Sequence, residues 1–235
     1  MKLTWYGHSA FKIQTGDNQI LIDPFLVGNP SWDAGWEGPA EGCTHVILTH
    51  GHDDHLGSTI DICKAHDCML VANFETCMYM VGQGISDKQI NPANPGGTVN
   101  CGGFTTSFVN AVHSSSTQTG GGSNVYLGSA CGVIVKADNE KSVYHMGDTD
   151  IFSDMALIQE LHSPEIGLVP IGDRFTMGAK EASLVCKRFF DFETVIPCHF
   201  GSFPIIDPDA NAFLSEMGDV SCQVRVMSPG ETIEL

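Results

Sequence analysis

Positively charged side chains are scarce in this 235-residue chain: Lys and Arg total 11 against 28 Asp and Glu, a formal net charge of −17. The acidic count is ordinary, so the imbalance comes from missing cations. A nucleic-acid binder needs a basic footprint to neutralise phosphates, and none is present. A large anionic partner is repelled at long range. Paired cysteines are missing as well. The nine Cys, at 43, 63, 68, 77, 101, 131, 186, 198 and 222, include no C-x-x-C. Odd number and wide scatter argue against a zinc ribbon or a disulfide framework, and leave reduced thiols buried as small hydrophobes. No stretch approaches 18 uninterrupted apolar residues, and the opening MKLTWYGHSAFKIQTGD lacks the apolar core of a signal peptide. The expectation is no membrane span and, by elimination, a cytoplasmic location.

What is present is a globular composition, 42% hydrophobic, with no repeat, low-complexity tract or linker. Residues 1–235 read as one domain. Short strand-like segments open the chain (KLTWY, AFKIQT, QILIDP), the last two separated by the turn residues Thr15-Gly16-Asp17-Asn18. HVILT reads as a buried strand and residues from His55 or Leu56 to about Ala65 as a helix. ETCMYMVGQG reads as a short helix closed by glycine. HSSSTQTGGGSN, residues 113–124, reads as a loop. The C-terminal half repeats the style, with strands CGVIVKA, KSVYHMGD, IGLVPIG and TVIPCHF. Helices are expected over SDMALIQELHS, with Ser153 as its N-cap, over KEASLVCKRFFD and over DPDANAFLSEMG. A last strand pair, QVRVMS and ETIEL, is expected to turn through Pro229-Gly230. Mixed strands and helices in both halves fit an α/β layered fold of sheets covered by helices.

The informative segment is HVILTHGHDDHLG. An apolar strand ends, and His50, His52, Asp54 and His55 follow within six positions. Residues two apart on an extended chain point the same way, so His50 and His52 can converge on one ion. Asp54 and His55 come as the chain turns into a helix, which can aim them at a neighbouring point. Three imidazoles and a carboxylate suit zinc, or manganese or iron.

T-H-G-H-D-D-H-L-G matches the H-x-H-x-D-H signature of the metallo-β-lactamase superfamily. Later landmarks follow in order at strand ends: His113 after FVNAV, Asp148 in YHMGDTD, and His199 at the end of TVIPCHF. Over its whole length the chain resembles a small branch of metal-dependent hydrolases related to L-ascorbate-6-phosphate lactonase. The branch marks are Trp5-Tyr6-Gly7-His8-Ser9, Asp23-Pro24, His113-Ser114-Ser115, Gly147-Asp148-Thr149, Ile171-Gly172-Asp173 through Met177-Gly178, and His199-Phe200. The resemblance implies a four-layer αββα sandwich and two divalent metal ions, zinc first, with manganese or iron as alternatives. It implies one ion held by His50, His52 and His113, a second held by Asp54, His55 and His199, and Asp148 bridging both.

Such a site implies hydrolysis of a small ester, lactone or phosphoester by a metal-bound hydroxide, with Asp54 and Asp148 in the chemistry. A superfamily nuclease or phosphodiesterase, and a metal-binding protein without turnover, are the competing readings; the missing basic footprint counts against the nuclease. His8 and Asp23 are candidates to orient ligands or meet substrate. Arg174, in the loop GDRFTMG, is a candidate for an anionic substrate group or a surface ion pair. Asp53 reads as a local turn residue, and His45, His66, His145 and His162 as core or surface. The segment NPSWDAGWEGPAEGC, with Trp32 and Trp36, reads as a substrate wall or a subunit contact of a homo-oligomer.

Overall fold

The computed structural model describes residues 1–235. Strands β1 (Lys2–Trp5), β2 (Phe11–Thr15) and β3 (Asn18–Ile22) form an antiparallel meander. Thr15 pairs with Asn18 across the two-residue turn Gly16-Asp17, as the turn residues predict. Strands β4 (His45–Ile47) and β5 (Met69–Val71) extend the sheet in parallel. Between and after them come α1 (Asp53–Leu56), α2 (Thr59–His66) and α3 (Phe74–Gly82). The expected helix from His55 to Ala65 is thus two helices. Gly57 adopts φ 43° between them, breaking the first after one turn.

The second sheet starts with β6 (Thr98–Asn100) and β7 (Phe104–Asn110). Next come β8 (Ser116–Gln118) and β9 (Asn124–Tyr126), which pair only with each other. The Ser/Gly-rich stretch expected to be a loop is therefore a two-stranded hairpin closed by Thr119–Ser123 contacts. Then follow β10 (Cys131–Ala137), β11 (Val143–His145), α4 (Met155–His162), β12 (Ile166–Pro170), α5 (Ala179–Arg188), β13 (Thr194–Cys198) and α6 (Asn211–Met217). Asp154, not Ser153, occupies the N-cap position of α4. The chain ends with β14 (Gln223–Val224) and β15 (Thr232–Glu234). These last two do not pair as expected. β14 lies parallel to β13 in the second sheet, and β15 lies antiparallel to β1 in the first. The turn near Pro229-Gly230 carries the chain from one sheet to the other.

The orders are β15-β1-β2-β3-β4-β5 and β14-β13-β12-β11-β10-β7-β6. Strand alternation makes the layers. Ile20, Ile22, Ile47 and Val71 join the large core with Phe108, Val133, Leu168 and Ile196 of the other sheet. Their neighbours Leu21, Val46, Leu48 and Leu70 turn to a second cluster with Ile62 and Cys63 of α2 and Cys77 and Met80 of α3. Residues of α4, α5 and α6, among them Met155, Val185 and Phe213, cover the second sheet. The result is the expected αββα layering. Eight of the nine cysteines are buried, Cys222 is half-buried, and all are free thiols. No helix is long and apolar enough to cross a membrane.

The topology aims one edge of the sandwich. β1 runs parallel to β3, because both are antiparallel to β2; β7 and β11 are related in the same way through β10. The residues that follow β1, β3 and β4 therefore emerge at one end of the first sheet. Those that follow β7, β11, β12 and β13 emerge together from the second. Gly147, just after β11, packs against this edge with φ 64°, and a Cβ there would come 2.7 Å from the Cys131 carbonyl and 3.0 Å from Thr49 Cβ. Gly147→Ala is expected to lower unfolding stability by about 1–3 kcal/mol. Urea or thermal melts would read this; an unchanged midpoint would show that the edge relaxes freely.

Candidate metal centre

Each strand end delivers one part of the site. His8 follows β1, Asp23 follows β3, His50 and His52 follow β4, and α1 presents Asp54 and His55. From the other sheet come His113 after β7, Asp148 after β11 and His199 after β13. All seven residues that the resemblance names as ligands come together. His50 Nε2 lies 3.0 Å from His52 Nδ1, and His113 Nε2 lies 3.3 Å from the same atom. Asp54, His55 and His199 form a second group with His8, their ring nitrogens and carboxylate oxygens mutually within 4.8 Å. Asp148 sits between the groups. Its Oδ2 is 3.0 Å from His199 Nε2, 3.6 Å from His113 Nε2 and 4.0 Å from His50 Nε2, and its Oδ1 is 3.3 Å from His55 Nε2.

Proton bookkeeping fixes which ring nitrogens face inward. Asp23 is fully buried and accepts from the Thr49 backbone N–H at 2.8 Å, from Thr49 Oγ1 at 2.6 Å and from His55 Nδ1 at 2.7 Å. The single Thr49 hydroxyl proton goes to Asp23, so its oxygen accepts from His50 Nδ1 at 3.0 Å. His50 and His55 thus both carry Nδ1–H and turn Nε2 toward Asp148. His8 works on the other group: its Nε2–H donates to Asp54 Oδ2 at 3.0 Å, and its Nδ1 accepts from Ser202 Oγ at 2.6 Å. Burial, with the charge of His199 adding to it, pushes the His8 imidazole down to about 4, so it stays neutral and donates.

The electrostatics call for a cation. Burial drives His50 well below the ordinary imidazole range, which keeps it an uncharged donor. Burial disfavours charge on His55 too, but the carboxylates of Asp148 and Asp23 overcome this and push it well above that range. The potential that draws a proton to His55 Nε2 draws a metal ion to the same lone pair. Burial alone would raise the Asp54 carboxyl, yet the His8 hydrogen bond and the charge of His55 hold it below the usual range. His55 Nε2, Asp148 Oδ1 and both ring nitrogens of His199 are buried without a hydrogen-bond partner. Such orphaned atoms are expensive, and a coordinated cation satisfies those that face Asp148. The residues therefore fit a metal centre. It opens onto a cavity of about 350 Å³ lined by His52, Asp54, His113, Ser114, Asp148, Phe175 and His199.

Residues 2–199 match the family model described as the beta-lactamase superfamily domain. The chain belongs to the metallo-β-lactamase superfamily. It is 60% identical over 235 residues to a UPF0173 metal-dependent hydrolase of Mesorhizobium japonicum and 61% identical over 235 residues to one of a Chelativorans strain, each covering 100% of both chains. It is thus a metal-dependent hydrolase of that superfamily. Among solved structures, Igni18, a metallo hydrolase of the archaeon Ignicoccus hospitalis, superposes with a TM-score of 0.86 at 33% identity, covering 99% of this chain and 97% of that one. The isothiocyanate hydrolase from Delia radicum gut bacteria has a TM-score of 0.75 at 22% identity, covering 100% and 99%, and shares the fold.

Other residues of this hydrolase fall out as follows. His8 is fully buried, donates to Asp54 and is absent from the cavity wall. Arg174 is exposed and makes no ion pair; its guanidinium lies 5.7 Å from the ring centroid of Phe175, which borders the cavity. Asp53 accepts from Thr117 Oγ1 of the small hairpin. His145 is buried behind the site, its Nε2–H donating to the Ser9 carbonyl and its Nδ1 accepting from Gly147 N–H. Trp32 packs edge-on against Tyr6 at 4.9 Å, and both Trp32 and Trp36 cover the second core cluster, away from the cavity. Sequence reasoning missed Thr49, Ser202 and Phe175. Thr49 had a local signal, adjacency to His50, and Phe175 lies in the loop GDRFTMG beside the candidate Arg174; Ser202 reaches the site through the fold. Asp23→Asn would place an amide NH₂ or a weaker acceptor against donors, and is expected to weaken divalent-metal affinity about 10–100-fold. Competition against a chromogenic chelator would read this, and wild-type affinity would remove Asp23 from its orienting role.

Proposed function

We propose that this chain is a binuclear hydrolase of a small ester, lactone or phosphoester. His50, His52 and His113 hold one divalent ion, Asp54, His55 and His199 the other, and Asp148 bridges them. Zinc is the first choice of metal, with manganese or iron as alternatives, since borderline imidazole and carboxylate donors accept all three. The observation that carries the reading is Asp148, a buried carboxylate within 4.0 Å of ring nitrogens from both groups, 3.0 Å from His199 and 4.0 Å from His50. When bound, the two ions would supply Lewis acidity and a water acidic enough to react near neutral pH.

The chain's own groups do the rest. Asp54 gives Oδ2 to the His8 N–H, which leaves Oδ1 to ligate and to orient an attacking water. Ser114 Oγ, 3.2 Å from His52 Nε2, sets the tilt of that ring. Phe175 gives the cavity one apolar wall, and no Lys or Arg lines it. Charge developing on the scissile group must therefore be met by the metal centre, and not by side-chain cations. The cavity of about 350 Å³ suits a small molecule.

Elemental analysis of protein reconstituted with zinc, manganese or iron is expected to give two ions per chain; none bound would end the assignment. Asp148→Ala is expected to bind less metal and to lose at least about 10³-fold in kcat/KM on lactone and phosphodiester probes. Activity unchanged by this substitution would exclude the bridge. Chelation is expected to abolish hydrolysis, and adding metal back to restore it; turnover that survives chelation would exclude the mechanism.

A further inference from the structure

Far from the metal centre, the second core cluster holds sulfurs that the hydrolytic reading leaves unused: Cys43, Cys63, Cys68 and Cys77. Cys63 lies in the last turn of α2. Cys68 follows one residue after the C-cap Asp67, whose φ of 51° folds the chain back toward the helix. That reversal brings the two sulfurs to 3.6 Å. The backbones are drawn together as well, because Gln89 Nε2 donates to both carbonyls, at 2.9 Å to Cys63 and 3.3 Å to Cys68. Gln89 is itself held in a capping box with Ser86. Cys43 also neighbours Cys68, but its thiol donates to the His45 carbonyl at 3.4 Å. Cys63 and Cys68 are themselves buried, while their chain neighbours Lys64, Ala65 and Asp67 are exposed.

We propose that Cys63 and Cys68 are a peroxide-oxidisable dithiol, a modification site separate from the metal centre, with Cys68 as the attacking sulfur and Cys63 as the resolving one. With the Cys43 and Cys63 sulfurs beside it, Cys68 is drawn below the ordinary thiol range, whereas Cys63, beside Cys68 and buried, is pushed far up. Cys68 is therefore the member that offers a thiolate. The thiolate attacks one oxygen of hydrogen peroxide, giving Cys68 sulfenic acid and hydroxide. The Cys63 sulfur then displaces the sulfenic oxygen as water, and an S–S bond forms. Two thiols lose two electrons and two protons, and the peroxide becomes two waters. Closure needs the sulfurs to move about 1.5 Å closer, toward the roughly 2.05 Å of a disulfide. That movement falls at the exposed C-terminal end of α2, around Asp67.

The test uses full-length, metal-loaded protein, oxidised with hydrogen peroxide under native conditions, alkylated and digested with trypsin without reduction. Trypsin cleavage at Lys64 puts Cys63 and Cys68 on separate peptides, and a second digestion with Glu-C, which cuts after Asp54, Asp61 and Glu75, separates Cys63 from Cys43 and Cys68 from Cys77. The expected product joins those peptides and is about 2 mass units lighter than their sum, formed roughly tenfold faster than oxidation at any other cysteine. Cys63→Ser is expected to stop at a Cys68 sulfenic acid that dimedone captures. Cys68→Ser is expected to leave Cys63 unreacted with dimedone. Circular dichroism checks that both variants fold; if either does not, the wild-type peptide map decides by itself. Both thiols still alkylated after oxidation, or Cys68 joined to Cys43, would overturn the proposal.

Discussion

The Asp23 carboxylate is the contact on which the arrangement of the candidate metal centre depends. It is fully buried at the end of β3, and it receives three donors at 2.6–2.8 Å. Two of them come from Thr49 and fix the strand end that carries His50 and His52. The third comes from His55 on α1. One anion thus sets the tautomer of a histidine in each ligand group, directly for His55 and through a hydroxyl relay for His50. Ring orientation is costly to hold by packing alone, since an imidazole has a broad χ2 well. A charge-assisted bond to a buried acceptor narrows it.

Holding this arrangement strains the backbone. His8, Asp23 and His199 all sit at positive φ, at 50°, 46° and 57°. For non-glycine residues such conformations cost about 1–3 kcal/mol each. They occur where the chain leaves a strand and must turn its side chain back over the sheet edge. The His199 N–H donates to the His8 carbonyl at 3.0 Å and ties the two sheets together at that edge. The strain is offset by a large inter-sheet core and by the bonds of Asp23 and His8, and coordination would add to them.

The same packing separates two chemistries. Imidazole and carboxylate groups gather where parallel strands end, open to a small cavity. Four of the nine thiols, Cys43, Cys63, Cys68 and Cys77, gather behind the first sheet, among apolar side chains and the ends of α2 and β5. On the proposed dithiol, oxidation of Cys63 and Cys68 would act at the C-terminus of α2, which carries none of the seven candidate ligands.

Much of this was legible in the chain itself. Clustering of His50, His52, Asp54 and His55 after an apolar strand is a local pattern, and local patterns survive folding. So did the hairpin at Gly16-Asp17, where φ > 0 demands particular residues, and the placement of His113, Asp148 and His199 at strand ends. Contacts between distant residues were not legible. The strand pair expected at the C-terminus went to two different sheets, because β14 and β15 each found a longer neighbour than the other. The Ser/Gly-rich loop became a hairpin that grips Gly51, His52 and Asp53 through Ser115, Ser114 and Thr117. Composition determined that the chain is globular and poor in cations, and motif spacing determined which residues are candidates for the site. Only the tertiary structure decided that Asp148 stands between the two ligand groups, that His8 donates to Asp54 and stays clear of the cavity, and that Cys63 meets Cys68. Each of those depends on distances across chain reversals or between strands, which are set by packing rather than by sequence neighbours.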